Sequence, residues 1–133
     1  MAHEVQIHLA LYADDFDPTE VTRHVGLAPT ATSMRGTPIP RQTSWKVSGE
    51  RFRGDVVDVY VLSDLLATSL GPYAEALARA IARLGLEAVF EVELWIDVNG
   101  EVSMPAIGFT HNTIQFIHSI GASIDVDTYR NAA

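Results

Sequence analysis

The chain has 133 residues, of which 47% are apolar, so it can fold as one domain with its own core. Its 17 acidic and 9 basic residues give a formal charge of −8, which argues against a nucleic-acid partner because that binding depends on cationic contacts to phosphate. It has no cysteine, and no apolar run approaches the roughly 20 residues of a membrane helix. We therefore expect a single globular domain over residues 1–133 in the cytoplasm, without membrane contact, metal or cofactor.

The first part of the chain predicts a strand, a short helix and a second strand. Residues 4–12 alternate between apolar and polar side chains, which is typical of a strand with one buried face. Residues 17–26 begin with a capping pattern and end at a glycine, so they predict a short helix. Residues 27–44 are rich in proline and threonine and predict a long ordered loop, which Trp45 should anchor to the core. The segment 43–48 follows as a strand.

The middle of the chain predicts two helices and the longest strand. Residues 49–54 have the composition of a turn. Residues 55–70 are ambiguous, because their valines favour a strand locally whereas their leucines recur at helical spacing. We favour a helix from about Asp58 and a second helix that opens at Pro72. Residues 86–97 then alternate strictly and predict a strand with one apolar and one largely acidic face.

The last part of the chain completes an α+β pattern. Asn99-Gly100 predicts a two-residue turn, after which residues 101–104 return as a short strand. A helix follows over 110–120, and residues 124–129 alternate as a final strand. The order is β-α-β-α-α-β-β-α-β.

Strands with one polar face suit a mainly antiparallel sheet with helices on one face only. The two β-α-β halves also allow a ferredoxin-like pseudo-duplication. Residues from both halves should share one core. The expected core contains Leu77, Ile81, Phe90, Leu94, Ile117 and Ile124.

Several short motifs occur together across most of the chain. They are Asp17-Pro18-x-Glu20-Val21-Thr22, Gly26-Leu27-x-Pro29-Thr30, Arg35-Gly36, Trp45, Ile117-x-x-Ile120-Gly121 and Ile124-Asp125-Val126-Asp127-x-Tyr129. In this combination the chain resembles the bacterial domain-of-unknown-function 4279 family. The resemblance implies a small bacterial α+β domain and supplies no catalytic residues.

No catalytic motif points to an enzyme. The sequence lacks a nucleophile elbow, a phosphate-binding loop of the P-loop type and a dinucleotide fingerprint. These observations favour a protein without enzymatic activity and leave open a site assembled from distant residues.

The polar faces of the strands predict a first class of function. If the helices cover one face only, acids and aromatic side chains crowd the other, and charged patches with aromatic residues are typical of interfaces. The protein would then be a non-enzymatic interaction module, self-associating as a homodimer or binding another protein as an adaptor or immunity protein does. Either a loop or another chain would cover Trp95. The candidate interface residues are Glu91, Glu93, Trp95, Asp97 and Tyr129.

The charge distribution predicts a second class of function, which is the binding of a small anion. Residues 28–54 carry five cations against one acid, a net charge of +4, while the rest of the chain carries −12. A small anionic ligand could bind between this basic segment and the sheet, held by Arg35, Arg41 and Lys46 beside Trp45. A hydrolytic version of this function would use His8 as the base. The competing explanation is that these cations balance the molecule's own acidic sheet.

Overall fold

The structure is a computed structural model that describes residues 2–99 and 101–131. A short 3-10 turn, Gly71–Tyr73, joins its second and third helices. The strands are β1 (His3–Ala13), β2 (Ala31–Ser33), β3 (Thr43–Ser48), β4 (Phe52–Gly54), β5 (Glu87–Ile96) and β6 (Ser123–Arg130), and the helices are α1 (Pro18–Val25), α2 (Val59–Leu70), α3 (Ala74–Leu84) and α4 (His111–Ile120).

The strands form one sheet in the order β2-β3-β1-β5-β6, with β4 also paired to β1. β1 is antiparallel to β3, β4 and β5, and the pair β5–β6 is parallel. Buried residues of all four helices join those of β1, β3 and β5 in one hydrophobic core. The predicted α+β class and the helices on one face are therefore confirmed.

The ferredoxin-like alternative does not hold, because β1 and β3 are antiparallel whereas β5 and β6 are parallel, so the two halves do not repeat each other.

The starts of α1 and α2 follow the capping signals, whereas α3 begins at Ala74, two residues after the predicted Pro72, because Gly71–Tyr73 form the 3-10 turn. Asp17 accepts a hydrogen bond from the Thr19 N–H at 3.0 Å, and Asp58 accepts one from the Tyr60 N–H at 3.0 Å. The predicted start of α2 is therefore confirmed, since a cap satisfies N–H groups that have no partner within the helix. Among the described residues, no helix combines the length and the apolar character needed to cross a bilayer.

The segment 49–54, predicted as a turn, instead contains β4. The register of β4 on β1 is shifted by one residue relative to that of β3, so β3 and β4 are one strand interrupted by a bulge. Within the bulge the Gly49 N–H donates to the Ile7 carbonyl at 2.8 Å. A bulge and a turn share the same polar and glycine-rich composition, and only the pairing with β1 distinguishes them.

The loop predicted over residues 27–44 contains the short strand β2, which pairs with β3. Three residues are too few to show an alternating pattern, so only the pairing with β3 identifies this strand. Trp45 is completely buried, and its Nε1–H donates to Thr22 Oγ1 on α1 at 3.1 Å. The predicted burial of this anchor is confirmed.

Residues 101–104 do not form the predicted strand, and Gly100 of the predicted turn lies outside the described residues. β5 already has β1 on one side and β6 on the other, so a returning strand has no free edge to join. The segment crosses instead to the start of α2, where Ala106 exchanges backbone hydrogen bonds with Val57 and Val59 at 3.0 and 2.9 Å.

Most of the predicted core is confirmed. Leu77, Phe90 and Leu94 are fully buried and Ile117 is 5% exposed, while Ile81 packs against the core from a partly buried position. The placement of Ile124 is wrong, because that side chain remains 42% exposed. It lies on β6, the edge strand of the sheet, where the helix layer covers less of the surface.

Candidate functional site on the open face of the sheet

The face of the sheet opposite the helices, here called the open face, carries a dense set of polar and aromatic side chains. Strand register places them side by side, with Glu4 opposite Trp95, Gln6 opposite Glu93 and His8 opposite Glu91. The helices cover only the other face, so this surface is built by residues that alternate with the core. Its members are Glu4, Gln6, His8, Tyr12, Lys46, Glu91, Glu93, Trp95, Asp125, Asp127 and Tyr129.

A hydrogen-bonded chain crosses the centre of this face. His8 lies on β1 between Ser48 on β3 and Glu93 on β5, with Nδ1 2.5 Å from the Ser48 hydroxyl and Nε2 2.6 Å from the Glu93 carboxylate. Because a carboxylate only accepts, Nε2 is the donor to Glu93, and Nδ1 shares a hydrogen bond with the Ser48 hydroxyl. His8 is only 8% exposed. Both of its ring nitrogens are occupied, so the side chain links three strands.

A second group of interacting polar side chains lies beside His8. The Tyr12 hydroxyl donates to Glu91 at 2.7 Å, and Lys46 Nζ lies 3.5 Å from the same carboxylate. The Lys46 ammonium is also 5.7 Å from the centre of the Tyr12 ring. Burial, and then the hydrogen bond to Glu91, raise the pKa of Tyr12 well above its ordinary value. Tyr12 therefore stays a neutral hydrogen-bond donor.

An aromatic stack occupies the end of the face that lies beside the bulge. Trp95 and Tyr129 stack with ring centres 5.5 Å apart and an angle of 23° between their planes. The Arg51 guanidinium lies 4.3 Å from the centre of the Trp95 ring, and its Nε–H donates to Glu4 at 3.0 Å. Trp95 is half-buried as a result, while Tyr129 remains 47% exposed. The chain itself thus covers part of Trp95, through a side chain that the bulge directs onto the sheet.

Two neighbouring acids lie on the edge strand β6. Asp125 and Asp127 are exposed and form no ion pair within the described residues. Repulsion from Asp125 is the main cause that raises the pKa of Asp127 above its ordinary value. In the part of the chain that the structure describes, no group of three or more histidine or acidic side chains is placed to hold a metal ion.

Asp97 departs from its expected position at the interface, because its side chain is only 3% exposed. Its Oδ1 accepts the Asn99 N–H at 3.0 Å, and its own N–H donates to His3 Nδ1 at 2.9 Å. His3 is fully buried and its Nε2 lies 2.7 Å from the Ser103 carbonyl. Asp97 therefore helps to fix the segment after β5 and is withdrawn from the open face.

The cations of residues 28–54 divide into two groups. Arg51 and Arg53 reach Glu4 with N–O distances of 3.0 and 3.9 Å, and Lys46 reaches Glu91. These three balance acids of the same molecule, in agreement with the competing explanation above. Arg35 and Arg41 are exposed and have no ion pair within the described residues.

Two cavities border the loop that carries these arginines. Arg41 and Lys46 line a cavity of about 450 Å³ together with Tyr12. Arg41 also lines a second cavity of about 390 Å³ with Arg35 and Asp14. The structure thus brings the three predicted anion-binding cations around one loop. Trp45, predicted with them, faces the helices and lines neither cavity.

The sequence did not predict the two hydrogen bonds that join His8 to Ser48 and to Glu93. The only available signal was the position of His8 on the polar face of β1. The stack of Arg51 on Trp95 was also missed, since it depends on the bulge between β3 and β4.

The comparisons with known proteins bear on family alone. No curated protein and no solved structure matches the chain. A family model described as a domain of unknown function (DUF4279) matches residues 3–131, nearly the whole chain, in agreement with the resemblance carried by the sequence motifs. The chain therefore belongs to the DUF4279 family.

Proposed function

We propose that this protein is a non-enzymatic interaction module that uses the open face of its sheet as the contact surface. The observation that carries the proposal is the stack of half-buried Trp95 on exposed Tyr129, beside two acids of β6 that form no ion pair in the part of the chain that the structure describes. Aromatic side chains bordered by charge are typical of protein interfaces. The location we propose is the cytoplasm, where a fold that contains no disulfide is independent of the reducing conditions.

Self-association is the favoured mode because each molecule carries both halves of a complementary contact. Asp125 and Asp127 lie on β6 at one end of the sheet, and Arg35 and Arg41 lie in the loop beside β2 at the other. A two-fold axis can place the basic loop of each protomer against the acidic edge of its partner. An adaptor or immunity protein would use the same face with a different cationic protein.

Sedimentation velocity at low and high salt tests this proposal. The wild type should associate at low salt and dissociate as salt rises, because exposed charge pairs are screened. The double variant Asp125→Asn/Asp127→Asn should weaken association by about tenfold at low salt, the sum expected for a few exposed pairs. Trp95→Ala should weaken it at both salt concentrations.

The matched control is Glu75→Gln, which removes an exposed acid from α3 on the opposite layer and should change nothing. A wild type that stays monomeric at high micromolar concentration and low salt would contradict self-association. The open face would then require a different partner protein.

Binding of a small anion is the second candidate function. Its support is the cavity of about 450 Å³ in which Arg41 and Lys46 lie beside the Tyr12 hydroxyl. The hydrolytic version has less support, because both His8 ring nitrogens are occupied and His8 lines neither cavity.

Thermal unfolding in phosphate tests the anion site. A bound anion stabilises only the folded state, so phosphate should raise the Tm of the wild type above its value in chloride at equal ionic strength. Arg41→Gln should abolish this difference, and Arg79→Gln on the exposed side of α3 should preserve it. Equal Tm values of the wild type in the two salts would contradict the anion site.

A further inference from the structure

An apolar groove lies on the helix side of the sheet, between α2 and the bulge that separates β3 from β4. Val5 and Ile7 of β1 form its floor, Phe52 of β4 lies on one wall, and Leu62 and Leu65 of α2 lie on the other. The groove has a volume of about 400 Å³. This size falls in the range of ligand-binding clefts, roughly 300–1,000 Å³.

The first two turns of α2 expose apolar side chains to solvent, whereas Thr68 and Ser69 are exposed in its last turn. Asp64 is the single charged residue of this helix, and Val61 and Leu65 are 53% and 62% exposed. Exposed apolar side chains that lie next to each other are typical of a contact surface. The outer side of α2 therefore has the composition of a contact surface.

The opposite wall of the groove is a strand edge. β4 pairs with β1 on its inner side, and β2 covers only β3. In the described parts of the chain, no strand pairs with the outer edge of β4. Such an edge presents backbone N–H and C=O groups that can accept another strand.

The charges along this edge restrict the strand that can be added. Successive residues of a strand point to opposite faces, so an added segment would direct every second side chain into the groove beside Phe52. The remaining side chains would lie on the open face next to Arg51 and Arg53, whose side chains are 52% and 63% exposed. Opposite charges on neighbouring strands stabilise the pair. The complementary segment therefore alternates apolar and acidic residues.

We propose that the outer edge of β4 and the groove beside α2 bind an extended peptide segment of another protein, in which apolar and acidic residues alternate, by adding it to the sheet as a strand. Main-chain hydrogen bonds to β4 would provide affinity, and the groove and the two arginines would select the side chains. This surface is separate from the acidic edge at β6, so the proposal goes beyond self-association.

Fluorescence anisotropy with synthetic peptides tests the proposal on the full chain. The probe is a labelled peptide of alternating valine and aspartate. It should bind, whereas a peptide of the same composition with valines and aspartates in separate blocks should not, because only strict alternation matches both faces. An alternating valine–lysine peptide should not bind either. Methylation of every second backbone nitrogen of the probe, on the side that faces β4, should abolish binding because it removes the ladder donors.

Variants of the protein locate the site. Leu65→Glu places a charge in the groove and Arg53→Glu reverses the charge of the edge, and each should weaken binding by about tenfold or more. Both positions are exposed, and circular dichroism checks their folding. The control is Ile114→Glu, which introduces the same charge at a 50% exposed position on α4 and should leave the affinity unchanged.

Several results would overturn the proposal. They are absence of binding to the wild type, equal affinity for the block and alternating peptides, and unchanged affinity in both Leu65→Glu and Arg53→Glu. Self-association that Leu65→Glu abolishes while peptide binding is absent would instead assign the groove to a second copy of this chain. Association through the open face would be disrupted by Asp125→Asn/Asp127→Asn and not by Leu65→Glu, so the two proposals fail separately.

Discussion

Replacement of Phe90 by alanine should lower the free energy of unfolding by about 3–5 kcal/mol, the usual cost of truncating a buried aromatic side chain. Phe90 is fully buried in the middle of β5. Its ring meets Phe109 edge-on, with centres 6.5 Å apart and planes at 75°. The substitution removes apolar contacts and leaves a cavity that the surrounding helices and strands can fill only in part. Urea unfolding should show a lower midpoint with an unchanged slope.

Phe52→Ala is the matched control, since it makes the same chemical change on β4 at a side chain that is 40% exposed. It should cost less than about 1 kcal/mol, because an exposed side chain loses little burial and leaves no enclosed cavity. A cost below about 1 kcal/mol for Phe90→Ala itself would contradict the burial of this face of β5.

Trp45→Ala should cost a similar amount, about 3–5 kcal/mol, and should also loosen the loop before it. The indole is fully buried between β3 and α1, where it donates to Thr22. Trp45→Phe keeps most of the apolar volume and loses this hydrogen bond, so it should cost much less, about 1 kcal/mol for the bond together with a small loss of volume.

Amide exchange measures the effect on the loop. In the wild type, the Thr30 N–H donates to the Lys46 carbonyl at 2.8 Å and the Arg35 N–H donates to Thr43 Oγ1 at 3.0 Å. These amides should be protected, and Trp45→Ala should increase their exchange because it removes the anchor of β3 on α1. Exchange of residues 30–42 in the wild type at the rate of a free peptide would contradict the anchor and remove the support for an anion site on this loop.

Several elements could be predicted because their signals are local. The alternation in β1 and β5 requires only that one face of each strand is buried. The caps Asp17, Asp58 and Thr110 also act within one helical turn, as Thr110 shows by accepting the Thr113 N–H at 3.2 Å. Such interactions depend on neighbouring residues, so the sequence displays them directly.

The candidate site was predictable only as a list of residues on one face. Alternation placed His8, Glu93 and Trp95 on the polar sides of their strands. It could not pair His8 with Glu93, which is 85 residues away, because that contact depends on the register between β1 and β5. For the same reason it could not place Arg51 on Trp95, or withdraw Asp97 into the interior.

By itself, the sequence determined the α+β class, the starts of α1, α2 and α4, and which face of β1 and of β5 is buried, since these follow from periodicity and capping over a few residues. The tertiary structure alone decided the short strands β2 and β4, the lack of a strand over residues 101–104 and the exposure of Ile124. Each of these depends on whether a neighbouring strand offers a free edge and on how far the helices extend over the sheet. Both conditions arise from long-range packing, so they cannot be predicted from a short segment of sequence.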